Sequence, residues 1–182
     1  ASGKDAPQQL VDLLEEKLAN GQASALTHLL LANRKLVDND FEQAVGHLEL
    51  AHRLAPSSPI IKNNLALAIV RKTPDDQEVY KRAEGLMLTA LQLSGPNAEM
   101  LDSLGEIRAA GNDTMGAIEC FESAIGLDSN RNGTRKKLAA AYRKVGLSDL
   151  ANIQERMIRE SLPSDSGSSV EAGSAVEEAS DR

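Results

Sequence analysis

The chain has 182 residues, of which 41% are hydrophobic and only 2% aromatic, and its formal net charge is −7. This charge argues against a general binder of polyanions, and no apolar run approaches the roughly eighteen residues of a membrane-spanning helix. The composition predicts one folded unit with a core of leucine, alanine, isoleucine and valine rather than a few large aromatic rings.

The compartment is only weakly constrained by the sequence. The single cysteine, Cys120, excludes an internal disulfide framework and fits a reducing compartment. The sequence begins Ala1-Ser2-Gly3 without a methionine, which leaves room for a targeting segment removed upstream. We therefore expect a soluble protein without membrane insertion. A cytoplasmic location is favoured, and a periplasmic or secreted location stays open.

The first predicted element is a helix over residues 8–22. It places Leu10, Leu14 and Leu18 on one face, with Leu13 alongside, at the spacing of an amphipathic helix. Residues 1–24 are therefore predicted to form either a capping helix or one half of an incomplete repeat.

A repeated pattern follows this helix. Its members each have a polar turn, an alanine about five residues in, an apolar helical stripe and then a break. They are NDFEQAVGHLELAHRLAPSS (39–58), NDTMGAIECFESAIGLDSN (112–130) and GLSDLANIQERMIRESLPSD (146–165). Each is preceded by a further helical segment, so the repeating unit is predicted to be a helix, a turn and a second helix.

The spacing of small residues identifies the repeat. Ala32 precedes Ala44 by 12 residues, Gly105 precedes Ala117 by the same interval, and Ala117 precedes Ala151 by 34. This pattern resembles the tetratricopeptide repeat (TPR) over about residues 25–163. The segments NNLA, AEGLMLTALQL and PNAEMLDSLGE are also similar to a longer repeat subtype that is associated with bacterial multi-repeat proteins.

The resemblance implies an all-α fold, a right-handed α-α superhelical solenoid of four repeats after the N-terminal extra helix. The repeats are predicted at 25–58, 59–96 with an insertion, 97–131 and 132–163. The signature small residues are Ala32, Ala44, Ala51, Ala66, Ala83, Ala90, Gly105, Ala117, Ala124, Ala139 and Ala151. Their expected role is to let short antiparallel helices approach closely. Pro56 and Pro163 are predicted to end second helices.

Two segments depart from the regular pattern. The second repeat holds five extra residues between its small residues, which predicts a second helix about one turn longer than the others. Thr73 is predicted to cap this helix and Pro74 to occupy its first position. Residues 164–182 are rich in serine, glycine, alanine and acids and are predicted to form a disordered acidic tail.

In the TPR family the first helix of each repeat lines a concave groove that holds extended peptides. Carried over by register, this groove starts apolar with asparagines, becomes acidic and ends basic. The predicted peptide-binding residues are Leu29, Asn33, Asn63, Asn64, Leu67, Arg71, Asp102, Glu106, Lys136 and Lys137. The resemblance thus implies a scaffold that binds a protein or peptide partner.

One TPR subset grips the carboxylate-ending tails of heat-shock chaperones with two asparagines and three basic residues. Asn33 and Asn64 match the two asparagine positions, but Leu29, Glu99 and Ser103 stand at the basic ones. An acidic tail would meet repulsion there, so a chaperone C-terminal carboxylate is not the expected partner. The asparagine amides can still hold a peptide backbone, unless they only cap local backbone or face solvent.

Enzyme chemistry, metals and cofactors find no support in the sequence. His28, His47 and His52 lack the spacing of a metal set, and Cys120 has no predicted base beside it. We therefore expect a protein that is not an enzyme and has no cofactor.

Three alternatives to the groove stay open. Repeats three and four, acidic and basic, could join two copies of the chain into a homo-oligomer. The chain could be a regulatory segment of a larger enzyme. Least favoured is nucleic-acid binding through Lys136, Lys137, Arg143 and Lys144, since no aromatic stacking surface accompanies them.

Overall fold

Helices account for all regular secondary structure in residues 6–161, the part of the chain that a computed structural model describes. They are α1 (Ala6–Ala19), α2 (Ala25–Val37), α3 (Phe41–Leu54), α4 (Pro59–Lys72), α5 (Gln77–Ser94), α6 (Ala98–Ala110), α7 (Thr114–Leu127), α8 (Asn132–Lys144) and α9 (Ser148–Ser161). The all-α prediction is confirmed. Pro56 follows the end of α3 as predicted, whereas Pro163 and the predicted acidic tail at 164–182 lie outside the described residues.

The turns inside the helix pairs explain the recurring Asn-Asp dipeptide. Asn39 and Asn112 adopt positive φ angles of 58° and 67°, a conformation that asparagine tolerates better than most residues. Asp40 and Asp113 follow them, and each carboxylate accepts the backbone N–H three residues further on. These caps begin α3 and α7. Gly146, with φ of 84°, occupies the corresponding turn before α9.

The second helix of the second pair is longer than its counterparts, as predicted. Helix α5 has 18 residues where α3, α7 and α9 have 14. The predicted start of this helix was wrong, because Asp76 rather than Thr73 is the N-cap, and Pro74 lies in the loop. The Asp76 carboxylate accepts two backbone N–H groups, from Glu78 and Val79. In the loop before the helix, the Pro74 carbonyl accepts a hydrogen bond from the Tyr80 hydroxyl.

The helices stack in pairs. Helix α2 packs on α3, α4 on α5, α6 on α7 and α8 on α9, and each pair packs on the next through consecutive helices. Helix α4 also packs on α6. The predicted small residues lie at these contacts, since every alanine of the signature has at most 2% of its surface exposed. The proposed reason for their spacing, close approach of neighbouring helices, agrees with this burial.

Helix α1 is attached less completely than the others. It packs on α2 through Leu14, which is 7% exposed, whereas Leu10, Leu13 and Leu18 are 40–48% exposed. The predicted apolar face is therefore only partly covered. Whether α1 is a cap or half of a repeat stays a prediction.

Gly105 shows how closely one helix pair approaches. A Cβ atom built on Gly105 would lie 2.4 Å from Cε1 of Phe121, which is itself 2% exposed. The ring fills the space that any side chain at position 105 would need. The contact between α6 and α7 thus depends on a glycine on one helix and an aromatic ring on the other.

The Gly105→Ala substitution is expected to lower the free energy of unfolding by about 1–3 kcal/mol, because the buried ring must shift to admit the methyl group. The matched control is Gly126→Ala in α7, where an added Cβ would meet no heavy atom within 4 Å. That control should gain about 0.5–1 kcal/mol from helix propensity. Denaturant unfolding of both variants distinguishes the outcomes, and equal stabilisation by both would contradict the packing argument.

Candidate functional site

The predicted site residues all lie on the first helices of the four pairs, α2, α4, α6 and α8, which we call the inner row. The helices of the inner row meet through polar contacts between α2 and α4 and between α6 and α8, and by packing between α4 and α6. The predicted residues therefore divide into an amide network, an ionic cluster and a remainder.

The amide network joins α4 to α2. Nδ2 of Asn64 donates to Oδ1 of Asn33 at 3.0 Å, and Nδ2 of Asn63 donates to Oδ1 of Asn64 at 3.1 Å. Asn33 is exposed, Asn64 is half-buried, and Asn63 is only 7% exposed. The expectation that Asn63 faces the groove is thus wrong, because its amide is turned into the stack. Its Oδ1 has no hydrogen-bond partner among the described residues.

The network leaves hydrogen-bonding capacity at its exposed end. An asparagine amide carries two N–H donors and an oxygen with two lone pairs. The contacts within the network use only the oxygen of Asn33, so both of its N–H groups are available, as is the second N–H of Asn64. The contact with Asn64 holds the Asn33 side chain in place. The pair can therefore present oriented donors to an acceptor such as a peptide carbonyl.

The ionic cluster joins α8 to α6. Nζ of Lys137 lies 2.6 Å from Oδ2 of Asp102 and also contacts Glu106, while Nη2 of Arg131 lies 3.8 Å from the same Asp102 oxygen. Burial lowers the pKa of Lys137, but the hydrogen bonds to Asp102 and Glu106 outweigh it and raise the pKa above its ordinary value. Part of the predicted acidic zone is thus paired with part of the predicted basic zone within one chain.

The remaining predicted residues divide between core and solvent. Leu29 and Leu67 are half-buried and pack against the hydrophobic core. Arg71 and Lys136 are exposed and have no ion-pair partner among the described residues. Leu29 and Leu67 therefore offer only part of their surface to a ligand, whereas Arg71 and Lys136 offer free charge.

An apolar cavity of about 480 Å³ opens between α6 and α8. Its apolar walls are formed by Ala109, Phe121, Ala140 and Ala141, Thr114 of α7 adds a hydroxyl group, and the charged side chains around it are Glu106, Lys137 and Lys144. Its volume lies within the range of ligand pockets in proteins. A second, polar cavity of about 370 Å³ lies at the start of α8.

Comparisons with known proteins concern the fold alone. No family model matches the chain, and no curated protein matches it in sequence. Similar solved structures include TTC0263, a thermophilic TPR protein in Thermus thermophilus, with a TM-score of 0.70 and 19% identity over 88% of this chain and 93% of that one. MamA 41-end from Desulfovibrio magneticus RS-1 has a TM-score of 0.72 and 14% identity, covering 85% of each chain. The TPR protein YrrB has a TM-score of 0.60 and 21% identity, covering 87% and 76%.

The chain has the tetratricopeptide-repeat fold. This confirms the expected helical solenoid. Among the described residues, no helix has both the length and the apolar character to cross a membrane.

Helix α8, which is rich in basic residues, presents less free charge than its sequence indicates. Lys137 is held by Asp102, and Nη1 of Arg143 lies 2.5 Å from Oε1 of Glu155. Within residues 6–161, the polar contact of Lys144 is with the Asn112 amide oxygen, at 3.5 Å. Nucleic-acid binding was predicted through four cations of this helix. Two of them, Lys137 and Arg143, are thus paired within the chain.

Two histidines that are 19 residues apart in sequence meet between α2 and α3. The Nδ1 atoms of His28 and His47 lie 3.1 Å apart, and His28 is buried. Burial is the main cause that lowers both pKa values, with the charge of Arg53 also acting on His28 and those of His28 and Lys35 on His47. The described residues hold no group of three or more potential metal ligands.

Cys120 is 5% exposed and lies 3.4 Å from Nη1 of Arg108. Burial raises the pKa of the Cys120 thiol despite the nearby guanidinium. A buried thiol with a raised pKa is a poor nucleophile, which agrees with a packing role.

The sequence did not point to three of these features: the pairing of His28 with His47, the contact of Arg131 with Asp102, and the place of Phe121 in the cavity wall. The glycine at position 105 is the one available signal for Phe121. Because glycine has no side chain, α6 leaves room at position 105 for an aromatic ring on the neighbouring helix α7.

The Lys137→Met substitution is expected to destabilise the fold by roughly 1–3 kcal/mol, because it leaves the buried Asp102 carboxylate without its closest partner. Adding Asp102→Asn should recover part of this loss, since the uncompensated charge disappears with it. Thermal and denaturant unfolding of the single and double variants form the test. Additive losses would show that the two residues act independently.

Acidification is expected to destabilise the chain through its histidines. Because the folded state holds His28 and His47 with lowered pKa values, the unfolded chain binds protons first as the pH falls below about 6.5. The stability that comes from keeping these two histidines neutral is therefore fully present above this pH and is lost as the pH falls below it. His47→Gln should reduce the pH dependence of the melting temperature.

The control for this experiment is His52→Gln. The pKa of His52 is also lowered by burial, but its ring has no imidazole partner, so the pH dependence due to the His28–His47 pair should persist. If wild type and His47→Gln lose stability in parallel, the histidine pair does not govern the acid response.

Proposed function

We propose that this chain is a non-catalytic scaffold that binds an extended segment of a partner protein along the inner row. This proposal rests on the amide network, in which Asn64 of α4 donates a 3.0 Å hydrogen bond to Asn33 of α2. The general role of interaction scaffold agrees with the TPR fold. YrrB, one of the similar structures, is described as a TPR protein with an unusual peptide-binding site.

The chemistry of the network favours peptide backbone as the ligand. Two amides, fixed one repeat apart, offer donors that an extended chain can meet with its carbonyl oxygens. Because their mutual contact orients them before binding, less side-chain entropy is lost when a peptide docks. Arg71, on the same helix as Asn64, adds an exposed cation.

A chaperone-type carboxylate tail is disfavoured as partner by the residues at the corresponding positions. Leu29 packs against the core, Ser103 is 6% exposed, and Glu99 presents an exposed carboxylate. No cation stands at these places to make charge-assisted hydrogen bonds to a terminal carboxylate. The partner segment is therefore proposed to bind by its backbone and side chains rather than by its end.

The ionic cluster favours groove binding over self-association. Joining two copies through their acidic and basic repeats would require Asp102 and Glu106 of one copy to meet cations of another. Lys137 of the same chain already occupies both carboxylates, and Arg131 adds to the pairing at Asp102. A cation from another copy would therefore meet carboxylates whose charge is already compensated within the chain, and it would gain correspondingly less.

Pull-down experiments compare the wild type with the Asn33→Ala/Asn64→Ala variant. The variant is expected to recover at least one specific partner at roughly tenfold lower yield, because the backbone-facing donors are lost. A matched control is Glu78→Ala/Lys81→Ala on α5, which removes another pair of exposed side chains in mutual contact.

The control should recover the same partners as the wild type. Melting temperatures of all three proteins verify that the inner-row variant is folded. Equal recovery of every partner by both variants would remove the asparagines from the proposed function.

A further inference from the structure

The second half of the inner row differs from the first in having an open cavity, and this inference rests on the proposed function. We propose that the apolar cavity between α6 and α8 takes a large apolar side chain of the bound segment, and that an acidic residue adjoins this side chain. The occupant is thus a partner peptide in which an aromatic or branched aliphatic residue stands beside aspartate or glutamate.

The residues that line the cavity are the reason for proposing an apolar side chain on the ligand. Three alanines, Ala109, Ala140 and Ala141, line it together with the ring of Phe121. The short alanine side chains leave open space between the helices, which the longer side chains of Glu106, Lys137 and Lys144 border. A ligand side chain would remove apolar surface from water on both partners, which is favourable by about 25 cal/mol for each Å² buried.

The charged residues around the cavity are the reason for proposing an acidic residue on the ligand. Lys144 lines the cavity, and Lys136 lies one helical turn before Ala140 on the same helix. Neither lysine has a carboxylate partner among the described residues. Lys137 and Glu106 also border the cavity but pair with each other. The free charge beside the opening is therefore positive and attracts a carboxylate on the ligand.

The same charges disfavour a basic ligand. A lysine or arginine next to the inserted side chain would meet the free charge of Lys144 and would gain little from Glu106, whose charge Lys137 already compensates. The cavity thus contributes specificity that the amide network cannot, because amides bind the backbone of any sequence. Helices α2 and α4 would bind the backbone of the partner segment, and helices α6 and α8 would bind one of its side chains.

The test selects binders of the full chain from a random peptide library displayed on phage. We expect enriched peptides to carry a large apolar residue with aspartate or glutamate beside it. The affinity of the consensus peptide should fall at least about tenfold in Ala140→Leu, which fills the cavity from an exposed helix position. Lys144→Glu should cause a similar loss and weaken the salt dependence of binding.

Two controls match these variants. Ala19→Leu adds the same side chain at an exposed position of α1, and Arg156→Glu makes the same charge change on α9. Both should bind the consensus peptide with wild-type affinity. Melting temperatures identify any variant that loses its fold.

The possible failures are distinguishable. Enriched peptides that bind equally to Ala140→Leu but lose affinity in Asn33→Ala/Asn64→Ala would overturn the cavity assignment and leave the proposed function standing. Enriched peptides without acidic residues would overturn the charge argument. A library that yields no binder above background would count against both proposals.

Other occupants give different results. If a second copy fills the cavity, Ala140→Leu will lower the sedimentation coefficient of the chain, and the control Ala19→Leu will not. If the acidic C-terminal residues of the same chain fill it, replacing Val170 and Val176 by serine in the full chain will raise the affinity for the consensus peptide at least about tenfold. Either result would overturn the assignment to a separate partner.

Discussion

Close approach of neighbouring helices is the constraint on which the structure depends. At the contacts between helices the chain carries alanine or glycine, and these residues are essentially inaccessible to solvent. At Gly105 not even a methyl group has room beside Phe121. Because the helices are this near, side chains one repeat apart can touch, and both polar contacts of the inner row follow from it.

The same constraint explains how much of the fold was readable in advance. A small residue at a fixed interval reports a helix contact directly, so the order of the helices and the pairing of α2 with α3 could be predicted. The start of α5 could not, because Thr73 and Asp76 are both capable caps. In the structure the Asp76 carboxylate accepts two backbone N–H groups at the start of α5, and Tyr80 donates to the Pro74 carbonyl in the preceding loop.

The candidate site was predictable in position but less so in chemistry. Register placed Asn33 and Asn64 on the inner row, yet their hydrogen bond joins residues 31 apart and has no local signal. The blocks of acidic and basic sequence indicated separate zones, whereas Asp102 and Lys137, 35 residues apart, form one ionic cluster. Both separations are close to one repeat period. In a stacked-repeat chain, polar residues are therefore best compared with those one period away rather than with their neighbours in sequence.

The stacking order also governs how the chain would come apart. Each helix packs mainly on the helices before and after it, so an internal pair is held from two sides and a terminal pair from one. Leu150, Ile153 and Met157 on α9 have 38–43% of their surface exposed, as expected for the last helix of the described stack. Local opening would therefore begin at the ends and proceed inward, pair by pair. A ligand that spans α2 to α8 would connect units that otherwise open separately, and would raise the cooperativity of unfolding as well as its free energy.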